Sequence, residues 1–213
     1  MNGIERGNVP GRSTFLPILI LLLVITGFSP ADARENKAAI PDVTPLFGGP
    51  FDLTDHTGKQ RTDQDFKGKW RLMFFGYTNC PDICPTNLAI MTEALEMLPD
   101  DMMAEIAPIF ITLDPARDTS AYLADYVAAF HPRLVGLTGD AKALTAVMRS
   151  FRIHRRKVPD ASLPEGNYWI DHSSLTFLMG PDGRFVTLFP HDTDAGIMSQ
   201  RIASHLQKRN TPN

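Results

Sequence analysis

Two apolar runs of strand length constrain this chain most: Trp70 to Tyr77 (WRLMFFGY) and Ala107 to Leu113 (APIFITL). Each is too short for a helix and lacks polar alternation, the pattern of a strand buried on both faces. Between them Leu88, Met91, Leu95 and Leu98 recur at helical spacing, with Pro85 suited to the first helical position and Pro99-Asp100 closing the run. Farther along, Thr119 to Phe130 reads as a helix with Asp118 as its N-cap, and Leu134 to Leu137 as a short strand. Asp140 to Phe151 is a further helix and Arg152 to Asn167 a polar, irregular stretch. Leu175 to Phe189 forms a hairpin turning at Gly180-Pro181-Asp182-Gly183, and Ala195 to Lys208 a last helix. Phe51 to Arg61, folded about His56-Thr57-Gly58, adds an N-terminal β-hairpin. This β-α-β-α rhythm predicts one α/β domain over 51–208, with helices on both faces of a mixed central sheet.

The 213 residues hold 21 Lys+Arg against 24 Asp+Glu, a net charge of -3, so the overall balance supplies no footprint for nucleic acid. With 43% hydrophobic residues the composition is globular, neither disordered nor fibrous. Arg6 and Arg12 precede Phe15 to Phe28, which lies within a charge-free stretch from Ser13 to Ala31. That is the pattern of an export signal. Ala31-Asp32-Ala33 offers small residues for cleavage after Ala33, and the alternative is retention of 13–31 as a single membrane anchor. Either way residues 34–213 are expected outside the cytoplasm, in a periplasm or on the outer face of an inner membrane. Residues 34–50, with three prolines and two glycines, read as a tether, and 209–213 as a tail.

The only two cysteines, Cys80 and Cys84, lie in NCPDICPT between the first buried strand and its helix. A pair this close closes too short a loop to staple a fold, so its use is chemical. The carboxyl end of a strand and the start of a helix form the usual ligand position of an open α/β sheet, and a helix N-terminus lowers thiol pKa. Both sulfurs are therefore expected to be reactive thiolates. Pro81 and Pro85 disfavour helical backbone at the residues before them, which predicts a loop ending with Cys84 near the N-cap.

Two thiolates need a third donor to hold a soft ion, and six histidines are available. His172, in WIDHSS just before the strand Leu175 to Met179, is the best placed, with Asp171 or a carbonyl able to orient its ring. His56 and His131 read as solvated connections. His154 lies among Arg152, Arg155, Arg156 and Lys157, a solvated basic face suited to an acidic partner, while His191 and His205 have no ligand pattern around them. Asp82 between the cysteines and Asp114, Arg117 and Asp118 in the second motif read first as turn and capping residues, the alternative being that they shape the site or its docking surface. Met91 and Met97 fit a helix face and Met102-Met103 a loop, where core filling is the commoner use of thioethers.

The segments FDLTDHTGKQRTDQDFKGKWRLMFFGYTNCPDICPT (51–86), TLDPARDTS (112–120) and DHSSLTFLMGPDGRF (171–185) resemble the Sco/SenC family of copper-binding assembly factors. The resemblance covers nearly all of 48–206. It implies a thioredoxin-like fold, copper as Cu(I) or Cu(II) held by Cys80, Cys84 and His172, and a role in maturing the binuclear copper centre of cytochrome c oxidase. By the same resemblance the partners are subunit II of that oxidase, a copper donor and a thiol reductant, with the chain acting as a monomer.

The donor set agrees, because soft thiolates select Cu(I), an imidazole admits Cu(II), and zinc prefers a fourth ligand. Two other chemistries use the same residues. A thiol-disulfide oxidoreductase would employ Cys80 and Cys84 catalytically to keep the oxidase cysteines reduced, and a thiol peroxidase would use one as nucleophile and the other to resolve it. A purely structural interaction domain would tolerate loss of both thiols.

Overall fold

The computed structural model describes residues 46–210. The expected export segment, 1–33, and most of the 34–50 tether and the last three residues of the tail lie outside the described residues. Two strands, β1 (Asp52–Asp55) and β2 (Gln60–Thr62), form the N-terminal hairpin, followed by a 3-10 turn and the buried strand β3 (Trp70–Gly76). Then come α1 (Ile83–Glu96), α2 (Asp100–Ala104), β4 (Ile106–Thr112), α3 (Ser120–Ala128), β5 (Val135–Thr138) and α4 (Ala141–Ser150). Two further strands, β6 (Arg155–Pro159) and β7 (Tyr168–His172), precede β8 (Leu175–Met179), β9 (Phe185–Pro190) and α5 (Ala195–Asn210).

Among the described residues seven strands build the main sheet in the order β2-β1-β5-β4-β3-β8-β9, while β6 and β7 pair only with each other. Strands β3, β4 and β5 are parallel neighbours, and β1, β2, β8 and β9 join antiparallel, so the sheet is mixed as expected. Alternation along β3 feeds two cores. Leu72 and Phe74 pack with Leu88 and Leu95 of α1, Leu123 of α3 and Ile202 of α5; Met73 and Phe75 pack with Leu144 and Val147 of α4. Each fully buried Phe contributes about 1.5–3 kcal/mol relative to exposure, which makes β3 a rigid base for the loop at its carboxyl end. Residues 46–50 lie against this body: Gly48 N donates to Ser150 O at 3.0 Å, and the Phe47 ring stands 4.8 Å from that of Phe185. Among the described residues no helix is long and apolar enough to cross a membrane.

Four local readings are corrected. Thr119, not Asp118, caps α3, its hydroxyl accepting from Tyr122 N, while Asp118 is fully buried and engaged elsewhere. The stretch Arg152 to Asn167 is not wholly irregular, since Arg155–Pro159 pairs with β7 in register from Arg155 opposite His172 to Pro159 opposite Tyr168. Met102 and Met103 lie on the short α2, whose Asp100 and Asp101 suit a first helical turn. His131 is not solvated: it is 6% exposed, and its Nδ1 accepts from Arg133 N at 3.1 Å.

Candidate metal centre

The chain leaves β3 as Tyr77-Thr78-Asn79-Cys80, and α1 begins at Ile83 with Asp82 at its N-cap. Cys84 therefore falls inside the first helical turn rather than in the loop before it. Pro85 is tolerated there because the first N–H groups of a helix have no internal partner, and Thr86 N closes the turn on Asp82 O at 3.1 Å. Asp118 holds the loop from below, accepting from the backbone N–H and hydroxyl of Thr78 and from the hydroxyl of Thr112. Burial pushes the Asp118 carboxyl upward against those hydrogen bonds.

The two-stranded ribbon β6–β7 brings in the imidazole. Arg155 Nε donates to Leu113 O at 2.6 Å, Tyr168 Oη to Asp114 Oδ1 at 2.7 Å, and Ile170 N to Tyr77 Oη at 3.3 Å, so the ribbon is fastened to the ends of β3 and β4. The Arg117 guanidinium bonds to Asp114 and lies 4.1 Å from the Tyr168 ring centre.

His172 Nε2 reaches to 3.5 Å from Cys84 Sγ, while its Nδ1 lies 3.0 Å from Ser173 O. A carbonyl only accepts, so Nδ1 carries the hydrogen and the lone pair of Nε2 faces the sulfur. The Tyr77 ring meets the imidazole edge-on at 5.8 Å. Cys80 Sγ accepts from Cys84 N at 3.4 Å, and a cavity of about 330 Å³ opens beside it, walled by Tyr77, Pro81, Ile83, Trp169 and His172. Neither cysteine is in a disulfide. Among the described residues no three Cys, His, Asp or Glu side chains already stand at metal-holding spacing, so the three donors are neighbours rather than a closed cage.

The expectation that both sulfurs are reactive thiolates is corrected for Cys84. Cys80 is lowered to about 3, chiefly by its hydrogen bond with Cys84, with the backbone N–H groups of Cys84 and Asp82 adding to it against burial. Cys84 is fully buried, and the same hydrogen bond together with burial pushes its thiol up. The site thus presents one half-exposed thiolate and one buried thiol standing between that thiolate and an imidazole lone pair. Such a set can ligate a soft ion with release of a proton, or perform dithiol exchange.

Sequence reasoning singled out Cys80, Cys84 and His172, and the structure brings the three together. His56 Nδ1 instead accepts from Gly136 N at 3.2 Å, and His131 serves its own turn. Tyr77 was missed as a site residue, although a hydroxyl-bearing ring ending an otherwise apolar strand was its signal; burial raises that hydroxyl to about 12.

Residues 41–207 match the SCO1/SenC family. A mitochondrial SCO1 homologue from Homo sapiens is 39% identical over 164 residues, 76% of this chain and 54% of that protein, so the chain spans a little over half the length of this relative. The solved structure of Bradyrhizobium japonicum ScoI with copper bound is 41% identical with a TM-score of 0.68, covering 74% of this chain and 98% of that one. Arabidopsis thaliana ScoI with copper bound is 34% identical with a TM-score of 0.69, covering 76% and 99%. The fold is the thioredoxin-like one that the sequence resemblance implied. The matched span contains the CPDICP loop, the DPARDT turn and the DHSS ribbon end that together form the site, and the chain belongs to the SCO1/SenC family.

Proposed function

We propose that Cys80, Cys84 and His172 bind one copper ion and that the chain supports maturation of the binuclear copper centre of cytochrome c oxidase, with subunit II as the receiving partner. One observation carries the reading: an imidazole whose tautomer is set by Ser173 aims its lone pair at a thiol adjoining a thiolate. Two sulfurs and one nitrogen suit Cu(I) and admit Cu(II), and a three-donor site at a cavity mouth can pass its cargo on by ligand exchange. The copper held by the Bradyrhizobium and Arabidopsis relatives supports the same assignment. The pattern of residues 1–33 supports work outside the cytoplasm, cleaved or anchored.

Copper held by these three residues would take up Cys84 as thiolate, with release of its proton. An anaerobic Cu(I) competition titration of the reduced protein beside its His172→Ala variant tests this. One equivalent bound tightly by the parent and more weakly by the variant supports the site. No binding, or binding indifferent to His172, moves the function to the second reading, a dithiol reductase of the oxidase cysteines, which the low pKa of Cys80 beside the buried Cys84 favours.

A further inference from the structure

From Arg149 to Lys157 the chain carries five Lys or Arg residues and no Asp or Glu, in a protein whose net charge is -3. Arg149 closes α4, Arg152 follows it, and Arg155, Arg156 and Lys157 continue along β6. Arg149, Arg152, His154, Arg156 and Lys157 are exposed. Their fastenings leave the charges accessible: Arg156 pairs with Asp171 at 3.1 Å while 67% exposed, and Lys157 Nζ sits 3.9 Å from the Tyr168 ring centre. Asp160, Glu165 and Asp171 balance the three cations of the ribbon itself, and Asp114 beside it is paired with Arg117, so the excess of positive charge along the strip comes from Arg149 and Arg152.

Arg152 also holds φ at +54°, just past the end of α4, where glycine or asparagine is the favoured residue. The strip thus keeps a cation at a backbone position that disfavours it, although its Nε also donates to Leu46 O at 2.9 Å.

We propose that this strip, running from the end of α4 along β6, docks an acidic segment of a partner protein beside the thiol and imidazole site. The register places Arg155 opposite His172 and Arg156 opposite Asp171, and Asp171 and Trp169 line the cavity at Cys80, so a segment drawn to the strip arrives at its mouth. Charges at a rim act mainly by speeding encounter and selecting partners, and they do so in a salt-dependent way.

The occupant is a flexible chain rather than a bilayer or a nucleic acid. Arg156 and Lys157 point to opposite faces of a narrow ribbon, which a chain can wrap and a flat anionic surface meets on one side only. The nearby Tyr168 ring is covered by Arg117 and Lys157 and offers no free platform for stacking bases. That the docked segment exchanges copper rests on the proposed function; the docking itself does not.

The test is fluorescence anisotropy of a labelled Glu-rich peptide without cysteine, titrated with the metal-free protein. A Lys-rich peptide, vesicles rich in phosphatidylserine and a single-stranded oligonucleotide serve as alternative probes. The variant is Arg149→Gln/Arg152→Gln/Lys157→Gln, which keeps Arg155 and Arg156 because they fasten the ribbon, and an unchanged thermal midpoint confirms its fold. The expected result is Glu-peptide binding that weakens about tenfold in the variant and by a similar factor on raising salt to about 0.5 M. Equal binding by parent and variant overturns the proposal, as does binding of the vesicles or the oligonucleotide in place of the peptide. Because neither metal nor cysteine takes part, a failed copper titration leaves this result standing, and absent docking leaves the copper site standing.

Discussion

Gly76 passes so close under Cys84 that a β-carbon added to it would stand 2.9 Å from the Cys84 sulfur and 3.0 Å from the rings of Phe74 and Phe110. The last residue of the central strand is thereby the floor of the sulfur site. Gly76→Ala has to displace the sulfur or two packed aromatic rings, and overpacking of this kind costs about 1–3 kcal/mol. Urea denaturation should show the lower midpoint, and the Cu(I) titration a weaker site. A variant matching the parent in both would mean that the helix start yields freely.

The unequal thiols predict selective modification. In the metal-free protein at pH 5, iodoacetamide should label Cys80, lowered to about 3, and spare the buried Cys84. Because Cys84 is the main cause of that lowering, Cys84→Ala should move the pH profile of Cys80 labelling upward. Mass mapping of the labelled peptides decides, and equal labelling of both sulfurs at pH 5 would overturn the assignment.

Asp55 makes a pH-dependent contribution to stability. Burial alone would raise its carboxyl, but hydrogen bonds from Thr57 and Arg61 and from the backbone N–H groups of Lys59 and Thr57 hold it well below its ordinary value of 3.8. A depressed carboxyl stabilises above its unfolded pKa, and the contribution is lost as pH falls from about 4 toward the folded value. The urea midpoint of the parent should therefore drop more between pH 7 and pH 3 than that of Asp55→Asn. Identical drops would remove Asp55 from the acid limb.

Tyr77→Phe removes the acceptor of Ile170 N on the ribbon strand that ends in His172. Leaving that buried N–H unpaired costs about 1–3 kcal/mol and loosens the imidazole, and the Tyr77 hydroxyl's hydrogen bond with Cys80 is lost with it. Copper capture by a chelator should accelerate several-fold in the variant. An unchanged rate would show that Arg155 and Tyr168 suffice to hold the ribbon.

The parts legible in the sequence are those whose burial leaves a period. Trp70–Gly76 and Ile106–Thr112 emerged as strands within a residue of their apolar runs, and the α1 helix followed from its leucine spacing. The strand β6 did not, because RRKVP has no apolar alternation; it is held by pairing with β7 and by the bond from Arg155 to Leu113 O, partners remote in sequence. The burial of His131 and the turn held by Asp118 were hidden for the same reason. Cys80 and Cys84 announced themselves by rarity, whereas His172, 88 residues from Cys84, could only be nominated by its place before a strand and by family resemblance. Which sulfur carries the charge depends on burial and hydrogen bonding, and no spacing encodes that.

Between β7, which ends in His172, and the core strand β8 stand only Ser173 and Ser174. The imidazole is thus spliced to the most buried layer of the molecule by two residues, and its reach is metered in single-residue steps of about 3.3 Å. Lengthening the splice by one would shift the nitrogen by more than its 3.5 Å gap to the sulfur tolerates and turn successive side chains to the opposite side. The spacing between the histidine and β8 is therefore as much a part of the site as the spacing between the two cysteines.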